Sequence, residues 1–190
     1  MQQKKRWRVF RAGLSVNDKE QGLIVMISPR SAACMPPEYG AERVQSMMFG
    51  RDELLAYMQS HRLAVISTIG RGGGPESALV GIAVTRHHDV IFDTVTDSRK
   101  HGNLKRDNRA SIVFSGPGEK TLQFEGIARP LALRGPDDAG LRDIYYSVWP
   151  EGRDRLRWPT LSYWCISPRW ARYSDFDSGP LIQAFEWNPS

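Results

Sequence analysis

The chain has 190 residues, 41% hydrophobic and 25% charged, as expected for a soluble globular protein with one core and a modest extra segment. Its net charge of +5 leaves an acidic partner open, whether nucleic acid, membrane surface or phosphorylated ligand. No apolar run approaches the ~20 residues that span a bilayer, and Arg11 and Gly13 interrupt Val9, Phe10 and Leu14 where a signal peptide would be apolar.

Two cysteines, Cys34 and Cys165, stand far apart with no CxxC or CxxH neighbour. They read as free thiols in a reducing compartment, which points to the cytoplasm. Cys165 reads as a small buried apolar residue on a strand.

Residues 1–46 carry no sustained period of 2 or 3.6 and are set apart from a domain at 47–190. They hold the basic run Lys4 to Arg11, the apolar patch Leu23 to Ile27 and the loop-like Pro29 to Tyr39. Met47 and Met48 precede the first well-patterned element, so the segment reads as a mis-called extension, a poorly ordered arm or a functional basic arm.

From Gly50 the pattern is clear. Asp52 is a candidate cap for a helix with Leu54, Leu55 and Met58 on one face. Leu63 to Ile69 is a strand by its β-branched content. Gly70 to Pro75 turns the chain into a strand over 77–85, and His87-His88-Asp89 turns it into another over 90–94. His87 and His88 read as an exposed turn, lacking further metal ligands nearby. A short helix over 98–105 leads to a strand over 110–115, a turn at Gly116-Pro117-Gly118 and a long strand over 121–133. Residues 137–148 are helical, with Leu141, Ile144 and Tyr145 on one face, and the last predicted strand spans 161–173. Hairpin loops require antiparallel pairing. Six or so such strands with few edges to spare predict a mainly β fold, a small closed or partly closed barrel with helices at its margins.

Chemistry concentrates in Thr94-Val95-Thr96-Asp97-Ser98-Arg99-Lys100. Asp97 or Ser98 caps a helix whose first turn holds Arg99 and Lys100, where cations oppose the helix dipole unless an anion sits there. Free amides, a hydroxyl and two cations make a phosphate cradle, and Thr94 points another hydroxyl the same way. From charge alone the segment is equally a solvated helix start, and His101 beside it reads as a solvated helix residue. No Ser/His/Asp or Cys/His set stands at informative spacing.

The stretch from Asp52 through Leu131 resembles the core of the pyridoxamine 5′-phosphate oxidase-like flavoproteins. The resemblance rests on an ordered set: Leu63 to Ile69, Pro75, Ser77 to Val84, Phe92-Asp93-Thr94, Ser98-Arg99-Lys100, Asn103-Leu104, Asn108-Arg109-Ala110 and Glu125-Gly126-Ile127-Ala128. It implies a six-stranded antiparallel split β-barrel that forms a homodimer, with FMN at two sites along the interface. By position, Arg99 and Lys100 would bind the 5′-phosphate, with Ser98 and Thr94 donating hydrogen bonds. The strand backbone from Ser77 through Leu79 to Ile82 would pass the isoalloxazine ring. Thr121 stands where the family often has a Gln. The tail with Trp170, Arg172 and Tyr173 would approach a cofactor across the dimer, although core packing is the plainer role for each.

Departures narrow the expectation. The vitamin B6 oxidase itself has an Arg and a Lys on its second strand for the phosphate, where this chain has residues near Ser77 and Ile82. Tyr145-Tyr146-Ser147-Val148-Trp149 does not reproduce that enzyme's Tyr-x-x-x-Arg-x-x-x-Ser clamp, and Arg169-Trp170-Ala171-Arg172 lacks its His. The resemblance therefore points to a relative with another small-molecule substrate, an FMN-dependent oxidoreductase, in preference to the B6 oxidase. The alternatives are a non-catalytic flavin carrier or redox or stress sensor, or a relative using deazaflavin or haem. Nucleic-acid binding through Lys4 to Arg11, with Trp7 and Phe10 stacking on bases, is the disfavoured reading.

Overall fold

Apolar residues that recur every second position build the barrel wall. In a computed structural model describing residues 24–27, 49–177 and 181–188, β2 (Leu63–Ile69) pairs with β3 (Pro75–Val84) on one side and with β5 (Arg109–Ser115) on the other. β3 continues to β4 (Val90–Val95), β4 to β7 (Leu161–Asp175), and β5 to β6 (Lys120–Leu131). β6 then pairs with β7 and closes six antiparallel strands into a split barrel. The fold is mainly β, as the sequence predicts.

The 15 residues of β7 do two jobs. Leu161–Ile166 pair with β4, whereas Trp170–Asp175 pair with β8 (Leu181–Glu186). Without β8, this second half of β7 would present open backbone groups. β8 is not predicted from the sequence because it is short and its alternation is broken by the buried Gln183. β8 in turn pairs with β1 (Ile24–Ile27), a strand inside the segment that lacks a sequence period. The remainder of residues 1–46, including Lys4 to Arg11 and Cys34, lies outside the described residues, as do Met47 and Met48.

α1 (Arg51–Gln59) closes one end of the barrel with Leu54 and Met58, both fully buried. Its cap is Gly50, not Asp52. The Gly50 amide donates to the Glu53 carboxylate at 2.8 Å, which leaves Asp52 within the first turn, where a negative charge suits the dipole. The barrel interior holds Ile66, Ile82, Phe92, Ile112, Phe114, Phe124 and Trp164. A second cluster lies outside the wall, where α3 (Ala139–Val148) lays Tyr145 and Tyr146 over Ala83, Ile91, Tyr163 and Cys165. Neighbours on β4 thus face different clusters, Phe92 inward and Ile91 outward, which is why Val90-Ile91-Phe92 is apolar without alternation.

Among the described residues no such cover lies over β2. Its exposure alternates, and Leu63 and Val65 stand outward, half-exposed. Gly126 marks the β-bulge in β6: a Cβ there would collide with the Ser167 carbonyl oxygen, so the Glu125-Gly126 step admits no side chain. One turn departs from expectation. His87 is exposed, but His88 is buried at φ 68°, its Nε2 3.1 Å from the Arg51 carbonyl and its ring edge-on to Trp187.

Candidate cofactor site

The site begins where β4 ends. Thr94 Oγ1 lies 2.9 Å from Ser98 Oγ, and Ser98, in extended conformation, caps α2 (Arg99–Arg106) by accepting the His101 amide at 3.3 Å. Ser98, not Asp97, is therefore the cap. Helix geometry leaves the Arg99 and Lys100 amides without an acceptor inside the helix. Leu104, 2% exposed, plugs α2 into the barrel core.

Arg99, Asn103 and Arg106 follow at helical spacing on the face turned to β2 and β3. Buried Asn103 donates through Nδ2 to Thr68 Oγ1 at 3.0 Å and to Glu76 Oε2 at 2.9 Å, and its Oδ1 accepts from Arg106 at 3.1 Å. Arg106 also donates to the Ile69 carbonyl at 2.6 Å. The Arg99 guanidinium donates to the other Glu76 oxygen and pairs with it. These contacts, the Asn103 hydrogen bond foremost, hold the Glu76 carboxyl below the usual carboxylate range. Thr68, Glu76, Ser77, Ala78, Arg99 and Lys100 line a cavity of about 240 Å³. Among the described residues Lys100 forms no ion pair.

The remaining predicted residues divide by location. Ser77 stands outward on β3, its Oγ 2.8 Å from that of Ser67, and lines the same cavity. Leu79, two residues on, is 64% exposed. Thr121 lies at the start of β6 opposite Ser115 and Ser174, Trp170 is half-buried opposite Glu125, and exposed Arg172 faces Gln123. Within one chain none of these three lines the cavity with Arg99 and Lys100. Tyr173 is buried, its ring stacked on Phe49 at 3.9 Å, and serves the core. His101 is half-buried, edge-on to Trp164; burial, then Lys105, lowers its pKa.

Beside the cavity runs the uncovered wall. Val65 is directly opposite both Leu79 and Val113, and Leu63 follows two residues along, so the four form one apolar strip across β3, β2 and β5.

A family model described as pyridoxamine 5′-phosphate oxidase matches residues 51–175, from the first residue of α1 to the last of β7. The chain belongs to the pyridoxamine 5′-phosphate oxidase family. Solved structures share the fold at low identity. A conserved hypothetical protein of Mycobacterium tuberculosis is 23% identical with a TM-score of 0.56, over 66% of this chain and 84% of that one. A pyridoxamine 5′-phosphate oxidase-related, FMN-binding protein of Nostoc punctiforme is 15% identical at a TM-score of 0.52, over 82% and 99%. A haem-binding protein of Mycobacterium smegmatis is 15% identical at 0.59, over 68% of this chain and 55% of that one. Such likeness carries the fold alone. No curated protein matches the chain.

For a pyridoxamine 5′-phosphate oxidase family member, the feature that sequence reasoning misses here is Glu76. Its neighbour Ser77 marks the place of an absent cation, but nothing in a single carboxylate at a strand start announces an ion pair with Arg99. The helical spacing from Arg99 to Asn103 was the available signal, since it puts both on the face that meets β3. Among the described residues no group of His, Cys, Asp or Glu is placed to hold a metal ion, and no helix is long and apolar enough to cross a membrane.

Proposed function

We propose that this protein binds FMN, with the 5′-phosphate on Arg99 and Lys100, and works as an oxidoreductase on a small organic substrate. The observation that carries the reading is the cavity at the start of α2. Arg99 and Lys100 line it, and the first-turn amides of α2 and the Thr94–Ser98 hydroxyl pair stand at the same helix start, together a donor set suited to a phosphate monoester. Bound FMN would supply the electron-carrying chemistry. The chain's own residues bind and orient: Arg99 and Lys100 hold the phosphate, and the β3 backbone from Ser77 through Leu79 flanks the ring.

The apolar strip supports the homodimer. Leu63, Val65, Leu79 and Val113 expose between 38% and 64% of their surface on one face, and covering them with a second copy removes that apolar area from water. The strip adjoins the cavity through Ser77 and Leu79, so a partner seated there closes the site. Thr121, Trp170 and Arg172 then reach a cofactor from the partner's side.

The visible spectrum of the purified protein, with the released cofactor identified by mass, tests the reading. Flavin absorbance and the mass of FMN support it; a colourless protein that stays colourless after FMN is added rejects it. A Soret band favours haem, the second reading, which draws on the likeness to the Mycobacterium smegmatis protein. Stopped-flow reduction by NADH or NADPH separates an enzyme from a passive flavin module.

A further inference from the structure

We propose that Glu76 is a resident counter-anion of the phosphate seat, and that it sets how strongly the site prefers a phosphorylated ligand to its unphosphorylated counterpart. The inference rests on the phosphate reading of Arg99 and Lys100 and adds to it a residue that works against binding.

Glu76 is held in place by groups that serve no ligand. Asn103, 4% exposed, fixes Oε2 at 2.9 Å while also bonding Thr68, so the carboxylate is anchored from the protein side. Gly70 makes room for it: a Cβ at Gly70 would stand 2.5 Å from Glu76 Oε1. The oxygen left over pairs with Arg99, whose side chain is otherwise 82% exposed. An exposed arginine with such freedom leaves a partner readily, because surface ion pairs stabilise by little. A carboxylate fixed by a buried amide does not move away with it. When Arg99 turns to a phosphate, Glu76 therefore stays beside the incoming anion.

Charge decides the consequence. Arg99 and Lys100 bring two positive charges to the cavity, and Glu76 cancels one of them. A phosphate monoester near neutral pH carries roughly −1.5 to −2. With Glu76 ionised, the seat falls short of matching a dianion; with Glu76 neutral, it matches. Arg106 adds positive potential from behind, but its Nη2 is committed to the Ile69 carbonyl and Asn103. Glu76 thus lowers affinity for the phosphate and leaves that for an uncharged ring system unchanged.

The test uses the full chain and three probes: inorganic phosphate, FMN and riboflavin. Glu76→Gln keeps an oxygen for Asn103 and removes the charge; its circular dichroism and melting temperature establish that it folds. Inorganic phosphate is titrated by thermal shift, and the flavins by fluorescence quenching. The expected result is phosphate binding about 3- to 10-fold tighter in Glu76→Gln, and FMN tighter by a similar factor where FMN binds, with riboflavin unchanged. A gain persists in the Arg99→Ala background, because Glu76 acts on the anion directly and not through Arg99; its loss there would overturn the proposal. Unchanged or weaker phosphate binding in Glu76→Gln overturns the proposal, as does an equal gain for riboflavin. Should FMN bind neither protein while phosphate still tightens, the flavin reading fails and the role of Glu76 stands. Glu76→Ser, which also removes the charge but loses reach to Asn103, gives the same direction if charge is the cause.

Discussion

Replacing Leu104 with alanine tests whether α2 is held as described, because that side chain is the helix's plug in the barrel core. At 2% exposure Leu104 is out of water. The substitution deletes three carbons, at about 0.8 kcal/mol each, so the transfer loss is about 2.4 kcal/mol. A cavity term adds to it where the site cannot collapse, giving a total of about 3 kcal/mol, in the lower half of the range for buried leucines. The lower half is the right place because α2 lies at the rim of the barrel, where its neighbours are free to settle. Urea unfolding followed by tryptophan fluorescence measures the change, with the midpoint falling and the slope unaltered. Melting should drop by roughly 6–12 °C for a domain of this size. A loss below about 1 kcal/mol would mean that Leu104 is not a core residue and that α2 is not pinned to the wall. The cradle geometry would then have no rigid support.

Other outcomes follow from individual contacts. Ser98→Ala removes the cap of α2 and should cost about 1 kcal/mol by the same unfolding assay, whereas Asp97→Ala should cost nearly nothing. Cys165, its thiol pushed up to about 12 by burial, should resist Ellman's reagent in native Cys34→Ser protein and react fully once unfolded; rapid native labelling would contradict its burial. Asp107 is held at about 2, chiefly by its hydrogen bond from Arg109, below its unfolded value. A depressed carboxylate stabilises above its unfolded pKa and loses that contribution as the pH falls through the folded one. The difference in urea midpoint between native protein and Asp107→Asn should therefore be constant above pH ~5 and shrink between pH ~4 and ~2. Leu79→Asp, on the exposed strip, should shift sedimentation towards the monomer if the second copy sits there.

How much of this was legible beforehand follows from where each cause lies. β-Branched content marks Leu63 to Ile69 as a strand, and the turn residues after it give the hairpin order; the alternating burial of that strand appears only in the fold. Limits of strands moved by a residue or two because hairpin pairing, not composition, ends them. β8 was hidden by Gln183, a polar residue buried at a core position. His88 departs from the exposed turn expected of it because φ 68° brings its ring against the Arg51 carbonyl of α1, a tertiary contact that no local pattern records. At the cradle, the cap, the cations and Thr94 are neighbours in sequence and could be read together. Glu76 could not, since its pairing with Arg99 depends on how α2 crosses the start of β3.

The central claim is that Arg99 holds a flavin phosphate. Titration of cofactor-free protein with FMN, native against Arg99→Ala, tests it most directly. Losing a charge-assisted contact to phosphate is worth about 1.5–3 kcal/mol, so binding should weaken roughly 10- to 150-fold, while riboflavin affinity stays the same. Equal FMN affinity in the two proteins would contradict the account and place the phosphate elsewhere.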